Sequence, residues 1–272
     1  MFTTIINDCK DDNARSRQES RISSLLPTAT SFVGVNSDLE AGMHLLDILD
    51  ATEGRPGIVL LNVAPRGGHA TKWENGTPFA FFWYHETLIV GSVDGYVFSG
   101  AKKAGILPEL HLLDTHTGAA AMEAAGFITP EAAEHIPYTQ FRSFDFTPRI
   151  AAFLWQKNTV PSTPYNPDDI AELPLAIWHV DSFGNAKTTL LPEDLPSTET
   201  ATETRFGTLP YFSQLRDLPT HESSLVRGSS GIHDQRFLEL MEQRGNFTSK
   251  QQAIIGDGLF TEENYAHSAT GN

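Results

Sequence analysis

The chain has 272 residues, of which 40% are hydrophobic, and a formal net charge of −15 at pH 7. This length suits one large domain or two smaller ones. The acidity argues against binding to nucleic acid or to an anionic membrane surface. The single cysteine, Cys9, excludes an internal disulfide and a cysteine-rich zinc site, and the histidines show no H-E-x-x-H spacing. We therefore expect no metal, no cofactor and no nucleic acid partner.

The first residues, M-F-T-T-I-I-N-D, lack a basic region followed by a long apolar core. No run of about 18 apolar residues occurs in the chain. We expect neither a signal peptide nor a membrane span, and we expect a cytoplasmic protein.

Short apolar segments and segments with helical spacing alternate through the first part of the chain. Strands are predicted at 2–6, 32–35, 57–63, 79–84, 88–92 and 109–113. Helices are predicted in the polar stretch after Asp8, after the capping box of Ser37 and Glu40, and at 99–104, 130–135 and 148–156. This alternation predicts an α/β domain with a largely parallel sheet over residues 1–156.

The pattern changes after residue 156. Residues 157–172 contain three prolines and few apolar side chains, which indicates a linker. Strand and turn patterns then dominate residues 173–260, with one predicted helix at 235–244, so this part is predicted to be a β-rich domain. Residues 261–272 are predicted to be a frayed tail.

Ligands of open α/β sheets bind outside the carboxyl ends of the strands. Four loops are predicted at such ends, at 7–13, 64–69, 93–95 and 142–145, and an ordinary strand-to-helix connection is the alternative for each. Asp8 suits a ribose diol, because a carboxylate accepts hydrogen bonds from both hydroxyls. It equally suits a helix cap.

Seven segments in chain order resemble the S-adenosylmethionine hydroxide adenosyltransferases, a family related to the fluorinating and chlorinating enzymes that act on the same molecule. The segments are N-D-C-K-D-D-N, N-S-D-L-E-A-G, V-A-P-R-G-G, S-V-D-G-Y-V, T-Q-F-R-S-F-D-F-T-P-R-I-A-A, H-V-D-S-F-G-N-A-K-T-T and V-R-G-S-S-G-I-H-D-Q-R-F-L-E-L-M-E-Q-R-G. The last two are the most specific. The first is similar to the family's T-D-F-G-x-x-D, with Asp8 at the ribose-binding aspartate.

The resemblance implies an N-terminal α/β domain and a C-terminal β-barrel-like domain. It also implies a homotrimer with its sites between subunits. The substrate would be S-adenosylmethionine, attacked at the ribose 5′ carbon to release methionine and leave adenosine. The residues implied to bind this ligand are Asp8, Asn13, Ser37, Asp94, Phe141, Ser143, Asp181, Phe183, Asn185, Ser229, Ser230 and Arg244.

Within that set the resemblance gives roles to some residues. Asp8 would hold the ribose diol. Asp181, Phe183 and Asn185 would hold the methionine part. Ser229, Ser230 and the region of Arg244 would face the adenine or the amino acid carboxylate.

The positions that activate water in the family are altered here. The aspartate of its V-D-P segment is Ala64, its arginine falls at Thr71 or Lys72, and its histidine falls at Arg142. The candidate catalytic residues are therefore His69, Lys72 and Arg142. Two alternatives stay open: a homologue that binds S-adenosylmethionine or adenosine without turnover, and a halide nucleophile held by a backbone N–H and Ser143.

Overall fold

The structure is a computed structural model that describes residues 1–64, 77–198 and 200–260. The chain divides into two compact units, Met1–Glu172 and a second that begins at Leu173. The predicted fold class is confirmed: an α/β unit with a largely parallel sheet is followed by a β-rich unit. Among the helices in the described ranges, none is both long and apolar enough to cross a membrane.

The sheet of the first unit has seven strands. They are β1 (Phe2–Asn7), β2 (Ala29–Gly34), β3 (Gly57–Asn62), β4 (Phe79–Tyr84), β5 (Thr87–Ser92), β6 (Leu110–Leu113) and β7 (Ser162–Tyr165). Their order in the sheet is β2-β1-β3-β5-β4-β6-β7, and all but β4 and β7 run in one direction. Asn7 pairs with Gly34 on one side and Asn62 on the other, so these strands end level with each other.

Among the described residues of this unit, seven α-helices accompany the sheet. They are α1 (Asp12–Leu25), α2 (Asp38–Thr52), α3 (Ser99–Lys103), α4 (Thr115–Ala124), α5 (Pro130–His135), α6 (Arg142–Asp145) and α7 (Thr147–Trp155). The predicted cap of α2 is confirmed, because the Ser37 hydroxyl accepts a hydrogen bond from the Glu40 N–H at 3.1 Å. The Glu40 carboxylate reaches back to the Asn36 N–H at 2.7 Å, which fixes the loop after β2.

Burial explains why this sheet forms. Residues 58–61 of β3 are buried on both faces, as a central parallel strand requires. The core that α1 and α7 share with the sheet includes Ile5, Phe79, Phe146 and Ile150, each at most 1% exposed. Truncating one such side chain to alanine costs about 2–5 kcal/mol.

Two parts of the first unit differ from the sequence predictions. Helix α4 was not expected; the Asp114 carboxylate caps it by accepting from the Thr117 N–H at 2.9 Å. The 157–172 segment, predicted as a linker, contributes edge strand β7, which pairs with β6. The Lys102 ammonium holds the end of this segment through the Ile170 carbonyl at 2.7 Å and the Glu172 carboxylate at 2.6 Å.

The second unit consists mainly of antiparallel strands. Its elements are β8 (Ile177–Val180), β9 (Ala186–Thr188), β10 (Thr202–Thr204), β11 (Gly207–Leu209), β12 (Tyr211–Phe212), β13 (Ser223–Ile232), β14 (Gln235–Glu242) and α8 (Phe247–Gln251). One sheet has the order β12-β13-β14-β9-β8, and β10 pairs with β11 separately. Trp178, Phe237 and Phe247 are among its fully buried side chains.

The predicted helix at 235–244 is wrong, because this segment forms strand β14. The cause is its position in the sheet. A tight turn, with His233 at φ 52°, sends the chain back antiparallel to β13, and β9 pairs with its other edge. Residues 237–241 are consequently buried on both faces, and a mostly apolar run of this kind, interrupted only by Glu239, has no clear period that separates a strand from a helix.

Candidate functional site

The loops after β1, β2, β3 and β5 contact one another in pairs at the carboxyl edge of the first unit's sheet. The Asp8 carboxylate accepts from the Ala64 N–H at 3.3 Å, which joins the loops after β1 and β3. The Lys10 ammonium donates to the Asn36 amide oxygen at 2.6 Å, which joins the loops after β1 and β2. This is the edge at which a ligand of an open α/β sheet is expected.

The carboxyl edge also joins two of the segments that carry the family resemblance. The Asp38 carboxylate, at the start of α2, accepts from the Tyr96 N–H at 2.7 Å. Gly42, one turn further along α2, packs against the segment after β5 that contains Tyr96. A Cβ built at Gly42 would be 2.5 Å from the Tyr96 carbonyl oxygen. The N-S-D-L-E-A-G segment therefore needs its glycine to pack against S-V-D-G-Y-V.

Asp8 is not a helix cap. The cap of α1 is Asp11, whose carboxylate accepts from the N–H groups of Asn13 and Ala14, both at 3.1 Å. Asp8 lies three residues earlier and is half-buried. One of its oxygens bonds to Ala64, and a carboxylate with two oxygens has room for further donors such as ribose hydroxyls.

Three other candidate ligand residues of the first unit, Ser37, Asp94 and Asn13, either form local backbone hydrogen bonds or are exposed to solvent. The Ser37 hydroxyl is engaged as the cap of α2. One Asp94 oxygen accepts from the Gly95 N–H at 2.9 Å, next to the left-handed turn at Gly95 (φ 58°). Asn13 is exposed on the first turn of α1. Of these three, Asp94 lies directly after a parallel strand of the site edge.

Arg142 anchors helix α6. Its guanidinium donates to the Thr77 carbonyl at 2.8 Å and lies 5.2 Å from the centre of the Phe79 ring. Burial lowers the pKa of this guanidinium, although it stays charged near neutral pH. The segment predicted as a strand-end loop at 142–145 is thus a helical turn, and the arginine fixes it to the chain before β4.

Phe141 and Ser143 flank this arginine. Phe141 stacks on Phe144 with 5.7 Å between ring centres. Ser143 is 4% exposed, and its hydroxyl has no hydrogen-bond partner in the described structure. A buried hydroxyl of this kind retains its full capacity to donate and to accept.

The remaining two catalytic candidates, His69 and Lys72, lie outside the described residues, together with Thr71 and the glycines of the same loop. Ala64, the last residue before that loop, is exposed and has no side-chain polar group. The described part of the edge therefore contains Asp8, and its ribose-binding role and the water-activating roles stay predictions.

In the second unit, the D-S-F-G-N segment forms a closed turn between β8 and β9. One Asp181 oxygen accepts from the N–H groups of Phe183 and Asn185 at 2.8 and 2.9 Å, and the other accepts from the Asn185 amide at 2.9 Å. Gly184 has φ 80°, and a Cβ there would collide with Asn246. Asp181 thus shapes the turn, whereas Phe183 presents its ring outward and is 74% exposed.

The predicted pair Ser229 and Ser230 lies on an irregular stretch of β13, where the pairing with β14 shifts register. The Lys187 ammonium donates to the Ser230 hydroxyl at 2.6 Å and lies 5.7 Å from the centre of the Trp178 ring. The Ser229 N–H donates to the carboxylate of buried Glu239 at 3.3 Å. Register places Lys187 opposite Glu239.

The sequence reasoning did not single out Lys187 and Glu239. Lys187 lies within the quoted H-V-D-S-F-G-N-A-K-T-T segment, so its position two residues after the D-S-F-G-N turn was an available signal. Glu239 could not be identified because its segment was predicted to be a helix, and that prediction did not indicate that its carboxylate is buried. Arg244, the last predicted residue, is exposed in a left-handed turn with φ 61°.

Comparisons with known proteins identify the fold. No family model and no curated protein matches the chain. An uncharacterized conserved protein from Thermotoga maritima is similar in structure, with a TM-score of 0.63 and 16% identity over 94% of this chain and 98% of that one. A conserved hypothetical protein from Thermus thermophilus has a TM-score of 0.61 and 17% identity over 95% and 97%. At these identities the likeness shows the fold alone.

Proposed function

We propose that this chain binds S-adenosylmethionine at the carboxyl edge of its α/β sheet and transfers the adenosyl group to water. The observation that carries the proposal is the position of Asp8. Its half-buried carboxylate lies directly after the interior parallel strand β1, tied to the loop after β3 by the Ala64 N–H at 3.3 Å. A carboxylate fixed in this way suits the two donors of a ribose diol.

Electrostatics support a cationic ligand. The sulfonium of S-adenosylmethionine carries a positive charge, and the chain has a formal net charge of −15. Asp8 and Asp94 lie in loops of the carboxyl edge, and Asp38 is the first residue of α2 at the same edge. The field of these carboxylates favours a cation over a neutral or anionic nucleoside.

The proposed reaction is an in-line displacement. The water oxygen forms a bond to the ribose 5′ carbon while the bond from that carbon to sulfur breaks. The sulfur leaves with the electron pair as the neutral thioether of methionine, and the attacking water loses one proton to a base. The sulfonium is already a good leaving group, so the protein's main task is to align the water and to accept its proton. His69 is the proposed base, with Lys72 as a nearby positive charge.

Binding without turnover is the second candidate, and one observation favours it. The Arg142 guanidinium, which occupies the place of the family's histidine, already donates to the Thr77 carbonyl at 2.8 Å. Ala64 offers no carboxylate at the other altered position. A chain that keeps Asp8 but lacks a base would hold the nucleoside and release it unchanged.

Product analysis in heavy-oxygen water tests the reaction. The protein is incubated with S-adenosylmethionine, and the mixture is separated by chromatography and analysed by mass spectrometry. Adenosine that carries the heavy oxygen at its 5′ position, together with an equal amount of methionine, is the expected result. The matched control is His69→Gln, which should lower the rate without lowering affinity. Unchanged S-adenosylmethionine after saturation of the protein would establish the second candidate instead.

A further inference from the structure

The outer face of α1 carries a positively charged groove, in a chain that is strongly acidic. The groove is a shallow, open depression with a volume of about 450 Å³, and we call it the α1 groove. Its lining consists of two arginines, three serines and one aromatic ring: Arg17, Arg21, Ser16, Ser20, Ser24 and Phe144. None of these six residues belongs to the candidate ligand set at the carboxyl edge.

Cation–π contacts tie both arginines to aromatic rings. The Arg17 guanidinium lies 4.3 Å from the centre of the Phe144 ring and 5.0 Å from that of Phe141. The Arg21 guanidinium lies 4.1 Å from the centre of Phe144. A cation–π contact uses no hydrogen-bond acceptor, so N–H groups of both arginines remain available to bind an anion.

Within the described chain, carboxylates do not neutralise these two arginines. No carboxylate there forms an ion pair with either, whereas Arg15 on the same helix pairs with Glu19 at 3.4 Å. The carboxylate that acts on Arg21, that of Asp145, also accepts from the Thr139 hydroxyl at 2.6 Å and contacts Arg149 at 3.4 Å. The Asp145 carboxylate therefore interacts with Thr139 and Arg149 as well as with Arg21.

The guanidinium of Arg21 is affected by burial and by two neighbouring charges. Burial lowers the pKa of its guanidinium, Asp145 raises that pKa, and the like charge of Arg17 lowers it again. The net result is a lowered pKa, and burial is its largest cause.

One hydroxyl adds to the donors of the groove. Ser16 and Ser24 donate to the backbone carbonyls of Asn13 and Arg21 at 3.1 and 2.7 Å. Ser20 lies between them on the same helix face and lines the groove. Two guanidinium edges and one hydroxyl match the several oxygens of a tetrahedral anion.

We propose that the α1 groove is a binding site for a phosphoryl group, either as free phosphate or as the phosphate of a small ester. Arg17 and Arg21 hold the oxygens in their N–H forks, and Ser20 adds a hydrogen bond. The cavity is larger than a phosphate ion needs, which leaves space for the organic part of an ester.

Calorimetric titration with inorganic phosphate tests the proposal, with ionic strength held constant by chloride. Wild-type protein should bind phosphate, and the double variant Arg17→Gln, Arg21→Gln should bind it at least about tenfold more weakly. Arg15→Gln is the matched control and should leave the affinity unchanged, because Arg15 is already paired with Glu19. Asp8→Ala should also leave it unchanged, which separates this site from the proposed nucleoside site.

Two further measurements distinguish free phosphate from a phosphate ester and provide a second variant in case the first does not fold. Glycerol phosphate that binds more tightly than phosphate would identify an ester as the occupant, and equal binding would identify free phosphate. If the double glutamine variant fails to fold, the charge-preserving variant Arg17→Lys, Arg21→Lys replaces it and should still weaken binding through loss of the forks. A response to phosphate no greater than that to chloride would overturn the proposal, as would an equal loss in Arg15→Gln.

Discussion

Asp8 and Asp181 are both aspartates that follow a strand, but their carboxylates are occupied to different degrees. Asp181 accepts three hydrogen bonds from its own turn. Asp8 accepts one from Ala64 within the described chain. We therefore expect substitution of Asp8 to change ligand binding and substitution of Asp181 to change stability.

Asp8→Ala should weaken binding of S-adenosylmethionine by about 2 kcal/mol, because charge-assisted hydrogen bonds to the ribose are lost. The measurement is calorimetry on the folded variant. Asp12→Ala is the matched control, since Asp12 is an exposed aspartate on the same loop-to-helix stretch. Equal affinity in wild type and Asp8→Ala would remove Asp8 from the site.

Asp181→Ala should lower the free energy of unfolding of the second unit by about 1–3 kcal/mol, because three N–H groups lose their acceptor. Denaturant unfolding monitored at Trp178, which is buried in this unit, measures the change. The control is Ser182→Ala at an exposed position of the same turn. If Asp181→Ala keeps full stability and loses only ligand affinity, Asp181 is a ligand-binding residue and its structural assignment here is wrong.

The sequence predicts which side chains could belong to the site, but it does not predict the contacts that each side chain makes. It identified Asp8 but left two roles for it, because a carboxylate after a strand suits a cap and a ligand equally. The structure excludes the cap, since Asp11 takes that position, and the ligand role stays a proposal. The structure also shows that Arg142 is bound to a backbone carbonyl, a contact that joins residues 65 positions apart and leaves no trace in local sequence.

Helices and strands were predicted well where their local signals were strong. The cap of α2, the buried run of β3 and the adjacent strands β4 and β5 all fall where the sequence places them. Helix α4 was missed because T-H-T-G-A-A-A-M-E-A lacks a clear apolar period. Strand β14 was assigned as a helix because pairing on both edges, which is a tertiary effect, decides its state.

Asp11→Ala should lower the free energy of unfolding of the first unit by about 1 kcal/mol, because α1 loses its N-cap. Asp11→Asn keeps an acceptor at the cap and should retain most of the stability. Thermal or urea unfolding provides the comparison, and neither variant should alter the affinity for S-adenosylmethionine. A fall in affinity as large as that of Asp8→Ala would mean that the cap position, not Asp8, holds the ligand.

The chain shares its fold with two solved structures over 94% and 95% of its length, at 16% and 17% identity. Such a likeness supports the two-unit architecture, and the ligand proposal depends on this chain's own residues. The sequence could anticipate the α/β and β-rich units because their periodicities differ along the chain. It could not anticipate which loops touch, since those contacts depend on the order β2-β1-β3-β5 in the sheet.

At the scale of the assembled protein, we predict a homotrimer. The family resemblance implies a homotrimer, so sedimentation equilibrium should give the mass of three chains of 29.9 kDa each. The measured mass should not change across the micromolar range if the trimer is needed for the site. A monomer at all concentrations would contradict this part of the resemblance.

Binding of S-adenosylmethionine is the central claim, and calorimetric titration of the wild-type protein tests it most directly. We predict a saturable isotherm with one ligand per chain, and weaker binding as salt screens the chain's net charge of −15. Adenosine, which lacks the sulfonium, should bind less tightly under the same conditions. An absence of saturable heat with both ligands, on folded protein, would contradict the claim.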